Sequence, residues 1–144
     1  AKLAYGSNFE QVASAPVTIA LFTDTDLAKR ARKIARTGGA NNFSEEQLQY
    51  FLKNLPAEFE RYSDQQVSDY LALNAGLVAM NLVLALTDQG IGSNIILGFD
   101  KSKANEVLEI EERFRPELLI TVGYTDEKLE PSYRLPVDEI IEKR

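Results

Sequence analysis

The sequence predicts a single domain of the α/β or α+β class, in which a small sheet packs against several helices. Segments rich in β-branched residues alternate with segments whose apolar residues recur at the helical period. The 144 residues are enough for one hydrophobic core. No linker-like or repeated segment divides the chain, so we expect one domain over residues 1–144.

Three segments are predicted to form strands. Residues 15–24 (APVTIALFTD) and 116–126 (PELLITVGYTD) each contain an early proline and end in polar turn residues. Residues 93–99 (SNIILGF) form a short apolar run bracketed by Gly92 and Gly98. Three strands make a thin sheet for so much helix, so we expect a further strand hidden in a loop or supplied from elsewhere.

Helical segments fill most of the remaining chain. Ser44 begins one of them, with Gln47 in position to complete a capping box. Shorter helices are predicted at residues 26–36 and 101–110, and residues 137–144 are expected to form a short terminal helix or a tail. The basic residues of the segment 26–36 form either a solvated face or a phosphate-facing patch.

The longest predicted helix starts near Ser63 and runs to Gln89. From Leu71 onward it is apolar nearly all round, which is typical of a central, wholly buried helix. The apolar stretch ends at Leu86 and is too short to span a bilayer comfortably, so we expect no membrane partner. The same apolarity suits a subunit interface, which makes this helix a candidate for dimer contacts.

Charge and composition exclude several function classes. A net charge of −6 argues against a nucleic-acid partner, which needs a basic surface. The chain has no Cys and no His, so thiolate nucleophiles, Ser-His machinery and the commonest metal ligands are absent. If this chain is an enzyme, we expect its chemistry to be carried by a molecule that it binds. No spacing of acidic residues indicates a metal site, and nothing indicates export, so we expect a cytoplasmic protein.

Three short stretches are candidates for ligand binding. Gly98 would let main-chain N–H groups approach a flat ligand, on which Ile95, Ile96 and Leu97 could pack. A buried strand that ends in a glycine turn explains the same letters, and local physics favours it. Arg134 lies in the Pro-bounded stretch YRLP and is suited either to a phosphate or to a surface ion pair.

The third candidate is the stretch GSNFEQV, near the beginning of the chain. If it forms a helical turn, Asn8 and Gln11 share one face of that turn. Their amides supply both donors and acceptors, which suits a polyol or the edge of a heteroaromatic ring.

The order of these motifs resembles the nitroreductase-like family of FMN-dependent NAD(P)H oxidoreductases. The sequence has N..QV..AP, a long Ala/Leu/Asn-rich helix ending in GIG, then IILGFD, LLITVGY and YRLP. The resemblance extends from about Gly6 to the C-terminal tail. It implies an α+β fold with a mixed sheet flanked by helices and a long buried central helix. It also implies a homodimer that binds FMN at the subunit interface.

The resemblance implies roles for the candidate residues. Asn8 and Gln11 would face the ribityl chain and the ring edge of the flavin. Ile95, Ile96, Leu97 and Gly98 would lie against the isoalloxazine, with the last two N–H groups donating towards N5 and O4. Arg134 would bind the FMN phosphate.

The implied activity is hydride transfer from NAD(P)H to FMN, followed by electron transfer to a nitroaromatic or quinone-type small molecule. No side chain is assigned a catalytic role. The alternative is a non-catalytic flavin-binding or structural module of the same fold. The family's Arg-Arg-Ser-x-Arg helix and PSSxNxQPW segment have no counterpart here. We therefore expect an N-terminally incomplete domain that forms the C-terminal portion of a longer protein.

Overall fold

A computed structural model of the chain describes residues 1–37, 43–126 and 133–142. These residues form six helices and three strands in an α+β arrangement, as predicted. The helices are α1 (Ser7–Ser14), α2 (Leu27–Thr37), α3 (Glu45–Phe59), α4 (Asp64–Asp88), α5 (Ala104–Leu108) and α6 (Val137–Ile140). The strands are β1 (Val17–Asp24), β2 (Gly92–Ile96) and β3 (Phe114–Gly123).

The sheet has the strand order β1-β3-β2, and both pairings are antiparallel. The expected mixed sheet is therefore not found within the described residues. The reason is topological. Strands β1 and β2 run parallel to each other, but β3 inserts between them and keeps them from pairing. The central position of β3 also explains why Ile120 is fully buried, with 0% of its surface exposed.

Strand β3 begins earlier than the sequence indicates. It starts at Phe114 and contains Pro116, which the sequence places at the strand's beginning. The pairing with β1 skips Glu117, so the proline lies at a bulge of the central strand. A bulge is one of the few places where a strand tolerates the missing N–H of proline.

Helices cover both faces of the sheet. On one face, Ala79 of α4 packs against Leu118 and Ile120. On the other face, the segment before α1 and the start of α5 form a second apolar cluster. Its buried members are Leu3, Ile96, Phe99, Ala104 and Leu119. Neighbouring side chains of β2 therefore lie on opposite faces of the sheet, and this decides which of them can contact a ligand at the candidate site.

Capping boxes fix the starts of the two longest helices. Ser44 and Gln47 form the predicted box at α3, and Ser63 and Gln66 form a second one at α4. The C-cap of α4 is Gln89, where the sequence predicts that the helix ends. Reciprocal side-chain to backbone bonds satisfy two N–H groups that a helix start leaves without partners.

The expectation that α4 is wholly buried is wrong for the described residues. Its buried residues are Leu71, Ala75 and Ala79, a single stripe that faces the sheet. A single sheet covers only one side of a helix, and the opposite side remains exposed. By length and composition alone, α4 could also cross a bilayer, since an 18-residue stretch of it has a mean hydropathy of 1.7. Core and interface helices of soluble proteins meet the same criterion, so it assigns no membrane.

We predict that Ile120→Ala lowers the free energy of unfolding by about 2–5 kcal/mol, because it leaves a cavity in the centre of the sheet. Denaturant titration measures this loss. The matched control is Ile140→Ala, at a side chain that is 63% exposed, where we expect a change within about 0.5 kcal/mol. Equal losses for the two variants would contradict the central position of β3.

Candidate functional site

The chain makes a tight turn directly after β2, at Leu97 and Gly98. We call it the 97–98 turn. The N–H of Phe99 donates to the carbonyl of Leu97 at 3.2 Å. The segment before α1 holds the following residues in place. Ala4 forms an isolated antiparallel bridge with Phe99, and the N–H of Asp100 donates to the carbonyl of Leu3 at 2.7 Å.

The carbonyl and N–H groups of this turn have different surroundings. The Gly98 carbonyl accepts two hydrogen bonds, from the N–H of Tyr5 at 3.2 Å and from Asn8 Nδ2 at 3.1 Å. The N–H groups of Leu97 and Gly98 donate to no other group in the described part of the chain. The Leu97 side chain is 67% exposed, so the turn is open to a ligand. The turn therefore presents two adjacent free donors.

Glycine at position 98 allows a close approach. A Cβ atom there would lie 2.8 Å from Asn8 Nδ2, which is nearer than real Cβ atoms come to other atoms. The backbone at Gly98 does not have a positive φ, so conformational freedom is not the reason for this glycine. Gly98 instead makes room for the Asn8 amide and for the hydrogen bond between them.

Helix α1 places Asn8 and Gln11 on the face that meets β2. Asn8 donates to the 97–98 turn, and Gln11 Oε1 accepts from Asn94 Nδ2 at 2.6 Å. The structure thus brings both predicted amides to one edge of the sheet. The sequence analysis missed Asn94. The signal available for it was a polar residue at alternating spacing from buried Ile96 in a short apolar strand.

Ile95 and Ile96 lie on opposite faces of the sheet. Ile96 pairs with Leu119 and is 2% exposed, within the apolar cluster on the α1 side. Ile95 pairs with Ile120, whose side chain belongs to the α4 side. The expectation that both side chains pack on one ring is therefore wrong, because side chains alternate along a strand. Burial also leaves the Ile96 side chain unavailable to any ligand.

Arg134 lies apart from these residues in the hydrogen-bond network of the described chain. Its Nη1 donates to the carbonyl of neighbouring Tyr133 at 2.9 Å, and the side chain is exposed. Residues 127–132, which connect it to β3, lie outside the described residues. Its predicted phosphate contact stays a prediction.

Asp100 supplies a charge next to the 97–98 turn. Hydrogen bonding from the Ser102 side chain lowers the pKa of the Asp100 carboxyl group, and Lys103 acts in the same direction. The Oδ1 atom accepts from Ser102 Oγ at 2.6 Å, and Lys103 Nζ lies 3.4 Å from Oδ2. The Asp100 carboxylate caps the short 3-10 helix Lys101–Lys103, which follows the turn. No group of acidic residues suited to a metal ion occurs among residues 1–37, 43–126 and 133–142.

We predict that Gly98→Ala lowers the free energy of unfolding by about 1 kcal/mol, because the added Cβ displaces Asn8 and breaks its hydrogen bond. Asn8→Ala should cost a similar amount, and the double variant little more, since both remove the same bond. The control is Gly76→Ala within α4, where a Cβ meets no atom within 4 Å. That change should leave stability unchanged or raise it. Additive losses at positions 8 and 98 would contradict this account.

Comparisons with known proteins identify the family. The model of the nitroreductase family matches residues 5–124. A relative from Streptococcus pyogenes serotype M6, named "Putative NAD(P)H nitroreductase Spy0809", is 59% identical over 147 residues, which cover 100% of this chain and 73% of the relative. The crystal structure of a nitroreductase family protein from Streptococcus pneumoniae TIGR4 is 95% identical, with a TM-score of 0.94. The match covers 99% of this chain and 72% of that one.

Similarity to a more distant solved structure supports the fold alone. A nitroreductase-type protein from Exiguobacterium sibiricum 255-15, solved in complex with FMN, is 24% identical with a TM-score of 0.87. The match covers 99% of this chain and 70% of that protein. The chain thus spans about three quarters of the length of the streptococcal relatives. From the family match and the identity to those relatives, the chain belongs to the nitroreductase family.

Proposed function

We propose that this protein is an FMN-dependent oxidoreductase that takes hydride from NAD(P)H and reduces nitroaromatic or quinone-type acceptors. The observation that carries the proposal is the pair of free N–H donors at the 97–98 turn, next to the two amides of α1. Flavin, when bound, supplies redox chemistry that a chain without Cys and His lacks. The activity of the related S. pyogenes protein, as its name gives it, agrees with this proposal.

The residues of the turn fit the edge of a flavin. An isoalloxazine ring carries several hydrogen-bond acceptors on one edge, and the turn offers two adjacent donors to them. Because Gly98 has no side chain and is exposed, a flat ligand can approach its N–H closely. The FMN complex of the E. sibiricum protein, which shares the fold, supports this choice of cofactor.

The turn forms one wall of a site. Three cavities of about 380, 470 and 560 Å³ in the described part of the chain are lined by residues other than Asn8, Gln11 and the 97–98 turn. A flavin would therefore lie against this wall with its other face towards a different part of the assembly. In this proposal that second face stays accessible to NAD(P)H and to the acceptor in turn.

The chain's own residues bind and orient the cofactor, and we assign no proton transfer to any of them. Asn8 uses its Nδ2 to bind the Gly98 carbonyl, which ties the turn to α1, and the bond from the Phe99 N–H to the Leu97 carbonyl fixes the peptide unit that carries the Gly98 N–H. Donors fixed before the reaction stabilise developing negative charge without the cost of reorganisation. Leu97 contributes through its backbone, so its side chain should matter little.

We propose that a second copy of the chain packs against the exposed side of α4. Leu73, Leu77, Met80 and Leu84 recur at helical spacing on the side opposite the buried stripe. Leu73 and Leu77 are 65% and 64% exposed, unusual for a continuous apolar stripe on a monomer. Packing two such stripes together would remove them from water, so we propose a homodimer. We also expect a cytoplasmic location.

The first test of the proposed function is a flavin titration of the protein as it is made in the cell. The wild type should bind FMN, and NAD(P)H should bleach the flavin absorbance. Leu97→Ala should keep its affinity within about twofold, whereas Leu97→Pro, which removes the N–H, should lose about tenfold. Absence of FMN binding would contradict the oxidoreductase proposal. Binding without bleaching would favour a non-catalytic flavin-binding module.

The phosphate end of the cofactor has a separate test. Arg134→Ala should weaken FMN binding by about 1.5–3 kcal/mol, the usual contribution of a charged hydrogen bond. Binding of riboflavin, which lacks the phosphate, should not change. Arg36→Ala, at an exposed arginine of α2, is the control for lost positive charge. Equal FMN affinity for Arg134→Ala and the wild type would remove Arg134 from the site.

The proposed dimer is tested by Leu77→Glu, which places a charge on the exposed stripe of α4. Sedimentation velocity should show the wild type as a dimer and the variant shifted towards monomer, because the dimer would bury an unpaired carboxylate. Val107→Glu, at a half-exposed residue of α5, should remain dimeric. A monomeric wild type, or a variant that dimerises as tightly, would contradict the proposal.

A further inference from the structure

Asn94 makes the closest side-chain contact between β2 and α1. Its Nδ2 donates to Gln11 Oε1 at 2.6 Å, across 83 positions of sequence. The carbonyl of Asn94 also accepts from Thr121 Oγ1 at 3.5 Å, on the neighbouring strand β3. Both amide side chains are exposed, so this pair is not needed to satisfy buried polar groups. The pair therefore lies at the surface of this edge, where a ligand can reach it.

The hydrogen bond determines what Gln11 presents to its surroundings. A primary amide has an oxygen that accepts and a nitrogen that donates, both in the amide plane and bonded to the same carbon. Because Oε1 of Gln11 is bonded to Asn94, its Nε2 is the group left for another partner. Nε2 has no acceptor among the described residues. Gln11 therefore offers a donor, whereas a freely turning glutamine would offer either group.

Asn8 has the opposite orientation. Its Nδ2 is used by the Gly98 carbonyl, so Oδ1 is the group left to a ligand. The edge formed by the 97–98 turn and α1 thus presents three groups in order. The backbone N–H groups of the turn donate, Asn8 Oδ1 accepts, and Gln11 Nε2 donates. The pyrimidine edge of a flavin carries the complementary order: a carbonyl oxygen, an N–H group and a second carbonyl oxygen.

We propose that Asn94 is a positioning residue that fixes the Gln11 amide with Nε2 outward, which makes this edge complementary to the pyrimidinedione edge of a flavin. The inference rests on the proposed function. Asn94 does not touch the ligand in this account and acts through Gln11 alone.

The decisive variant is Asn94→Asp in the complete protein. A carboxylate cannot donate, so Gln11 would turn Nε2 towards it and present Oε1 to a carbonyl oxygen of the flavin. FMN affinity should fall about tenfold, and the midpoint potential of bound FMN should fall, because a donor to the ring stabilises its electron-rich reduced form. In a Gln11→Ala background, Asn94→Asp should cause no further loss, since the residue through which Asn94 acts is gone.

The matched control is Asn54→Asp on α3, which makes the same chemical change at another exposed amide, one that donates to the Tyr50 carbonyl. It should bind FMN as the wild type does. Unchanged affinity and potential in Asn94→Asp, or an equal loss in the Gln11→Ala background, would overturn the inference alone. A wild type that binds no FMN would overturn the proposed function, and this inference with it.

A measurement on the wild type covers the case in which Asn94→Asp does not fold. Nitrogen-15 NMR of the side-chain amides should show the Gln11 NH₂ resonances shifting on addition of FMN. The Asn94 NH₂ resonances should remain nearly unchanged. A shift confined to Asn94 would overturn the assignment, since it would make Asn94 the group that contacts the ligand.

Discussion

The carbonyl of Gly98 accepts hydrogen bonds from two groups in the first part of the chain, and the geometry of the candidate site depends on this constraint. One donor is the backbone of Tyr5 and the other is the side chain of Asn8. These two bonds tie the 97–98 turn to the start of the chain, and the N–H groups of Leu97 and Gly98 have no acceptor among the described residues. The segment before α1 also packs in the core through Leu3, so the constraint is anchored in the fold.

The distribution of apolar residues links the fold to its surroundings. Strand β3 is buried because strands flank it on both edges and helices cover both faces of the sheet. The sheet covers only the Leu71, Ala75 and Ala79 side of α4, and the described chain supplies nothing for the other side. The proposed homodimer would use the exposed apolar stripe of α4, and the proposed flavin site would use the 97–98 turn.

Local signals in the sequence were sufficient for much of this fold. The capping box at Ser44 and the end of α4 at Gln89 were predicted because each depends on neighbouring residues. The assignment of Ile95 and Ile96 to opposite environments was not predicted, because alternation shows that two faces differ without showing which face holds the core. The contact of Asn94 with Gln11 joins distant segments, and no local pattern specifies such a contact. Likewise, the fraction of α4 that is buried depends on which other elements pack against it, and its own sequence does not specify them.

The central claim is that backbone donors of the 97–98 turn bind the flavin. A crystal structure of the complete protein with FMN tests it most directly. We predict backbone nitrogen atoms of Leu97 and Gly98 within about 3.2 Å of acceptor atoms on the isoalloxazine. We also expect the Gly98 carbonyl to remain bonded to Tyr5 and Asn8. A flavin bound elsewhere, or one whose ring lies beyond hydrogen-bond distance of both N–H groups, would contradict the account.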